Sequence, residues 1–214
     1  MITLYGYPHS RSLRAAWTLE ELGVEYRCQH VALDKGEGRS EAHLARHPGG
    51  KVPVLEDGDL VLFESVAICR YLAERHGEGK LLPASAEGRA EVDQWLCFVT
   101  TELEQPLWNH AKHTFALPEE HRVAAVIPTC AWEFARALKA LERRYQGQTY
   151  LVGEHFTLAD LFLAHTLSWA KSMKYRLPET LEHYMTAQLE RPAMARAVAQ
   201  EKAAAEKAGS EPTG

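Results

Sequence analysis

The chain has 214 residues, 46% of them hydrophobic, and a formal net charge of −5. That is room for two ordinary domains with sizeable cores, and it offers no basic surface to attract nucleic acid. No apolar run approaches the ~18–20 residues of a membrane-spanning helix, and the opening MITLYGYP enters strand-like sequence without a basic and then apolar leader. The expectation is a cytoplasmic protein that binds neither nucleic acid nor membrane. Its cysteines (Cys28, Cys69, Cys97, Cys130) form no Cys-x-x-Cys pair, and are expected as small core residues in a reducing compartment rather than disulfides.

Ile2 to Tyr7 alternates and is rich in β-formers, with Pro8 ending the run. Ser10 or Ser12 can cap the helix that follows, which carries Leu13, Ala16, Trp17 and Leu22 and closes at Gly23. Val24, Tyr26 and Cys28 alternate with Glu25, Arg27 and Gln29, the pattern of a half-buried strand. After an Asp34-Lys-Gly-Glu-Gly loop, Ser40 to His47 predicts a short helix broken by His47-Pro48-Gly49-Gly50. Val52–Leu55 and Leu60–Phe63, joined through Asp57-Gly58, read as a hairpin. Glu64-Ser65 then opens a helix stopped by Gly77. The order β-α-β-α-β-β-α implies a parallel pair extended by an antiparallel hairpin: a small mixed four-stranded sheet with helices over residues 1–77.

Two residues are unusual for a purely structural hairpin. Pro53 stands where a strand begins donating hydrogen bonds, which it cannot do. Ser65 starts a helix, where unpaired N–H groups favour an anion. Together they suggest backbone left free for a ligand at Val52 and an anion site at Ser65.

Residues 78–87, EGKLLPASAE, read as a linker, and beyond them strand signals give way to Ala, Leu, Glu and Arg. Residues 88–207 predict five helices: Gly88–His113 with a kink or break at Pro106, Pro118–Tyr145 interrupted at Pro128, Thr157–Met173, Pro178–Leu189 and Pro192–Lys207. Within them, Thr157 and Asp160 form a capping-box pattern, with Phe156 and Leu161 at hydrophobic-staple positions. Residues 208–214 are small and polar, as expected of a disordered tail.

Three stretches carry a resemblance: Leu4–Arg14 (LYGYPHSRSLR), Gly50–Leu55 with the hairpin and Glu64–Ile68, and Phe156–Asp160. In this order and spacing the chain resembles the cytosolic glutathione transferases, as a serine-type bacterial member. The resemblance implies an α+β thioredoxin-like domain followed by an all-α domain. It implies a cis Pro53 that turns the Val52 backbone toward the cysteinyl part of glutathione. Ser65 and its helix N-terminus would take the γ-glutamyl carboxylate, Glu64 the γ-glutamyl ammonium, Lys51 the peptide, and Arg39 the glycyl carboxylate. Glutathione would be a co-substrate with no permanently bound cofactor, the partner a small hydrophobic electrophile or a peroxide, and the assembly a homodimer pairing domain 1 of one chain with domain 2 of the other.

The chemistry needs a thiolate, and a free thiol with a pKa of about 8.5 is only a few per cent ionised at neutral pH. A hydroxyl donor at a helix N-terminus meets that need. Ser10 matches the family's serine position in the L-Y-x-x-P-x-S pattern, with Ser12, Tyr5, Tyr7 and the Arg11 charge as competitors. No cysteine occupies this loop, against the members that form a mixed disulfide with glutathione. The resemblance puts the electrophile pocket between the domains, at Tyr7, His9, Trp108, His110 and His113. Trp95, Trp132 and Trp169 read as core. His110-x-x-His113 lacks a third ligand at a recognisable offset, so no metal is expected and both read as exposed helix histidines. The other readings are a glutathione-dependent peroxidase or disulfide reductase, and a non-catalytic glutathione-binding module.

Overall fold

A computed structural model describes residues 1–210. Strand β1 (Ile2–Gly6) turns Ile2 and Leu4 into the core, the two-residue period of a pleated strand. Helix α1 (Ser12–Leu22) ends at Gly23, whose φ of 69° is the left-handed cap that glycine adopts without cost. Strand β2 (Tyr26–His30) runs parallel to β1, with Leu4 opposite Cys28. Helix α2 (Glu41–Arg46) follows, its N-terminus capped by Ser40.

Strand β3 (Val54–Asp57) pairs antiparallel with β1 and with β4 (Leu60–Phe63), giving the order β2-β1-β3-β4. This is the mixed four-stranded sheet expected. Strand β3 starts two residues later than the expected Val52, because the ladder cannot use Pro53, which has no N–H. The hairpin loop is Gly58-Asp59, one residue beyond the anticipated pair, with Gly58 at φ 61°. Helix α3 (Ser65–His76) completes the set.

The chain divides into two compact units, Pro83–Leu189 being the second. In it, α4 (Ala86–Phe98) and α5 (Glu104–Ala111) replace the single long helix expected over 88–113. A π-helical turn, Val99–Leu103, separates them just before Pro106, and a second, Lys112–Ala116, follows α5. Proline removes one helical hydrogen bond and crowds the preceding turn, which the wider π turn accommodates. Helix α6 (Ile127–Arg144) has Pro128 in its first turn, so this proline begins the helix instead of interrupting one. Helices α7 (Leu158–Ser172) and α8 (Glu179–Leu189) complete this unit, and Leu158 to Ala164 is buried without a gap.

Helix α9 (Pro192–Ser210) was expected with the helical domain, but it belongs to the first unit, packed on α1 and β2. Small residues at four-residue spacing, Ala193 and Ala197, let it approach closely. Arg191 makes a two-pronged bond to Glu21 at 2.6 and 2.8 Å, and Arg196 reaches Glu20 at 2.8 Å. The expected disordered tail overlaps α9 as far as Ser210; residues 211–214 lie outside the described residues.

Trp132, expected in the core, is 63% exposed, because it falls off the buried stripe Cys130, Phe134, Ala137, Leu141 of α6; the Arg136 guanidinium lies 5.4 Å over its ring. Cys97 is likewise exposed, while Cys69 and Cys130 are buried and Cys28 is half-buried. No helix of the described residues is long and apolar enough to cross a membrane.

The capping box at α7 does more than start a helix. Asp160 is fully buried and accepts from Thr157 N–H at 2.8 Å, Thr157 Oγ1 at 2.9 Å, Leu151 N–H at 2.7 Å and the Tyr184 hydroxyl at 2.6 Å. Truncating it strands several buried donors at once, so Asp160→Ala is expected to cost on the order of 3 kcal/mol in urea unfolding. Thr157→Ala, which removes only one of the four bonds, is expected to cost about 1 kcal/mol.

Candidate active site

The first loop is built around Ser12, not Ser10. Ser12 is fully buried at the start of α1, and its hydroxyl donates to Glu201 of α9 and lies 3.1 Å from both the N–H and the C=O of Tyr7. Ser10 is half-buried; its Oγ accepts from Ser12 N–H at 3.1 Å and stands 2.8 Å from Ser12 Oγ. The cap position of α1 is Arg11, without a side-chain capping bond, so the serine hydroxyls bracket the helix start and the Ser10 oxygen is oriented by α1's first N–H. His9, just before, is held at φ 61°, a conformation uncommon outside glycine.

The Tyr5 hydroxyl is spent on Glu56 at 2.8 Å, and Arg46 caps that pair, bonding Glu56 at 2.6 Å with its guanidinium 4.6 Å over the Tyr5 ring. Tyr7 packs its ring 5.4 Å from His30.

Across the sheet, the Val52–Pro53 bond is cis. The ladder reaches only to Val54, and Val52 has no backbone hydrogen-bond partner among the described residues. The His43 ring donates from Nε2 to Lys51 C=O at 2.8 Å, which orients the strand leading to Val52; His43 Nδ1 is buried without a partner among the described residues. Arg39 lies on the neighbouring turn. Gly38 and Gly50 hold the two segments backbone to backbone, since a Cβ on either would stand 2.5 Å from the other's carbonyl oxygen. Lys51 and Arg39, both exposed, therefore occupy adjoining segments.

Ser65 begins α3 and is 5% exposed, with Arg14 Nη1 3.5 Å from its Oγ. Arg14 is itself completely buried, so a guanidinium and a helix N-terminus bring positive potential to the same spot. Burial pushes the nearby Cys69 thiol up to about 12, with Thr18 and Arg14 pulling the other way. Glu64, the α3 cap, is exposed and takes φ 73°. Trp108 and His110 sit on α5 in the other unit. The helix histidines are not exposed as expected: His110 is tied to the Tyr175 hydroxyl at 2.8 Å and His113 Nδ1 accepts from Val123 N–H at 3.1 Å. Among the described residues no cluster of three or more His, Cys, Asp or Glu could hold a metal.

Residues 1–74 match the family model for the glutathione S-transferase N-terminal domain, and residues 105–192 the C-terminal domain. The chain belongs to the glutathione S-transferase family. A relative from Zea mays, glutathione S-transferase 4, is 37% identical over 163 residues, covering 75% of this chain and 73% of the relative. A solved glutathione S-transferase-I bound with lactoylglutathione is 28% identical, covers 93% of this chain and 99% of its own, and has a TM-score of 0.75. A glutathione transferase from Methylococcus capsulatus, also 28% identical, covers 95% of this chain and 100% of its own at a TM-score of 0.83.

Ser12 was weighed only as a rival to Ser10; Arg14, His43 and Glu201 were not singled out in the sequence. For Arg14 the signal was a cation inside an otherwise apolar helix face. For Glu201 it was position: it continues the Ala193, Ala197 stripe by one more four-residue step. In this transferase burial raises the Glu201 carboxyl to about 7, against the opposing effect of the Ser12 hydrogen bond. Between the usual carboxylate value and about pH 7 the folded chain keeps a proton that the unfolded chain has released. Stability attributable to Glu201 is therefore lost as pH rises through that window and is level above it. Relative to wild type, Glu201→Gln is expected to gain stability between about pH 4 and pH 8, by at most ~3 kcal/mol, in denaturant titrations at each pH.

Proposed function

We propose that this glutathione transferase is of the serine type: Ser10 donates its hydroxyl hydrogen bond to the glutathione sulfur, lowers the thiol's pKa, and readies the thiolate for attack on a small hydrophobic electrophile. The observation that carries the reading is the Ser10 oxygen oriented by Ser12 N–H at the start of an eleven-residue helix. A hydroxyl proton and the positive end of the helix then act on the same anion. The thiol proton leaves first to solvent; attack then forms a carbon–sulfur bond as the electrophile's leaving group departs with its electron pair, or as its activated double bond opens and takes up a proton from solvent.

The tripeptide is fixed at its other end. The γ-glutamyl carboxylate goes to Ser65 and the α3 N-terminus, a placement supported by the buried Arg14 beneath Ser65. Glu64 pairs with the ammonium. The cysteinyl backbone adds to Val52 in the manner of an extra strand, and Lys51 with Arg39 takes the glycyl carboxylate. Tyr7 and His9 flank Ser10 toward the electrophile. Glutathione is a dissociable co-substrate and there is no resident cofactor. The protein is proposed to act in the cytoplasm as a homodimer. The apolar side chains that edge strand β4 exposes, Leu60, Val61 and Phe63, support the pairing. Of the proteins compared, the Methylococcus capsulatus structure supports a bacterial type, whereas the Zea mays relative is a plant protein.

Two substitutions separate binding from chemistry. Ser10→Ala is expected to lower kcat/KM with a chromogenic electrophile on the order of 10- to 100-fold and to raise the bound thiol's pKa toward its free value. Ser65→Ala is expected to raise KM for glutathione by about tenfold with kcat little changed. Unaltered thiol ionisation in Ser10→Ala would remove Ser10 from the mechanism.

A further inference from the structure

Ser12 Oγ has four polar neighbours: Tyr7 N–H and Tyr7 C=O, each at 3.1 Å, Ser10 Oγ at 2.8 Å, and Glu201 Oε1. A serine hydroxyl has one proton to donate and two lone pairs to accept with, and Tyr7 N–H fills one lone pair in every state. When Glu201 is ionised, it accepts the Ser12 proton, and the remaining lone pair takes the Ser10 proton. When Glu201 carries a proton, its own O–H fills that lone pair. Ser12 then donates to Tyr7 C=O or to Ser10 Oγ, and the Ser10 proton has no acceptor left within the cluster.

We propose that Glu201 is a positioning residue for Ser10: its proton, relayed through Ser12, decides whether the Ser10 hydroxyl points inward to Ser12 or outward to the sulfur of bound glutathione. This rests on Ser10 being the thiolate's donor. The only net chemistry is an ionisation, in which Glu201 releases a proton to solvent and two hydroxyls rotate. An ionised Glu201 also adds a negative charge behind the donor, which opposes thiolate formation in the same direction.

The surroundings allow Glu201 to play this part. From β2, Cys28 and Tyr26 face it; burial raises the Cys28 thiol to about 12 and the Tyr26 hydroxyl higher still, so both stay neutral while Glu201 titrates. From β1 comes Gly6, where a Cβ would stand 3.2 Å from Glu201 Oε1. On α1 the facing group is Ser12, while Glu20 is engaged with Arg196 of α9 and Glu21 with Arg191 just before it. Further along α9, Lys202 pairs with Glu206. His30, closing β2, packs on Tyr7.

The test is a pH series on the full-length protein, reading thiolate absorbance of the glutathione complex and kcat/KM for a chromogenic electrophile. In wild type, kcat/KM is expected to rise as the thiol ionises and then fall below a single-ionisation curve near pH 7, by about tenfold, the loss of one hydrogen bond to a charged group. Glu201→Gln, whose amide N–H can donate to Ser12 at every pH, is expected to follow a single ionisation and to exceed wild type on the alkaline side. Identical profiles for wild type and a folded Glu201→Gln overturn the proposal, as does an inflection that survives that substitution. If Glu201→Gln does not fold, Ser12→Ala decides, since it keeps the carboxyl and its charge but cuts the relay: a deviation well below the wild-type tenfold supports the proposal and one of undiminished size overturns it. Ser10→Ala is run alongside. A thiol pKa unchanged from wild type there refutes the Ser10 reading itself, whereas a raised one with an unchanged Glu201→Gln profile refutes only the relay.

Discussion

A buried hydroxyl cannot serve every polar group around it, and that limit organises the glutathione half of this chain. Ser12 joins three segments: Tyr7 just after β1, the start of α1, and, 189 positions away, α9 through Glu201. Removing a carboxyl from water is costly unless it keeps a partner, so Glu201 constrains α9 to lie where Ser12 can reach it. The bond also requires a residue without a side chain on β1. A Cβ at Gly6 would stand 2.9 Å from Ser12 Oγ, which leaves no room for both.

The same unit gathers positive potential at two helix starts. The thiol is proposed to sit at the N-terminus of α1 and the γ-glutamyl carboxylate at that of α3, so each anion meets unpaired N–H groups and the positive end of a helix. Arg14 reinforces the second without being exposed to the ligand, a fully buried cation beside Ser65. Backbone conformation follows the same division: His9 and Glu64, the non-glycine residues with positive φ next to these helix starts, both lie in the proposed site. Such conformations cost about 1–3 kcal/mol each and persist where the surroundings hold them. Arg14 and the cluster around Ser12 engage their chain neighbours Ser65 and Ser10.

What the sequence made legible was what its residues encode locally. Alternation marked β1 and β2, a proline and a glycine marked the hairpin's ends to within two residues, and Thr157 with Asp160 marked the start of α7. Prolines were harder to read, because their effect depends on their place in the turn. Pro128 begins α6, whereas Pro106 follows a π-helical turn. Long-range partners were not legible. Glu201 lies in an Ala-, Glu- and Lys-rich helix that reads as solvated, and only its register with Ala193 and Ala197 separates it from Glu206, which is exposed. Arg14 was hidden for the opposite reason, quoted within a motif whose matching residues drew attention to the serine. The domain boundary suffered likewise, since composition groups α9 with the helices before it while its ion pairs to Glu20 and Glu21 belong to the sheet unit.

The position of Glu201 sets stability against activation. Its proton is held most firmly where burial makes the charged form costly, and the same burial brings its carboxyl against the hydroxyl that orients Ser10. A glutamine there would remove the desolvation cost and with it the chain's means of responding to pH at this position. An alanine, continuing the stripe of Ala193 and Ala197, would leave Ser12 with its proton for the Tyr7 carbonyl or the Ser10 oxygen at every pH. Helix propensity does not require a carboxyl at residue 201. What does distinguish it from the alternatives is its ability both to accept a proton from Ser12 and to donate one, and the group that receives that difference next is Ser10.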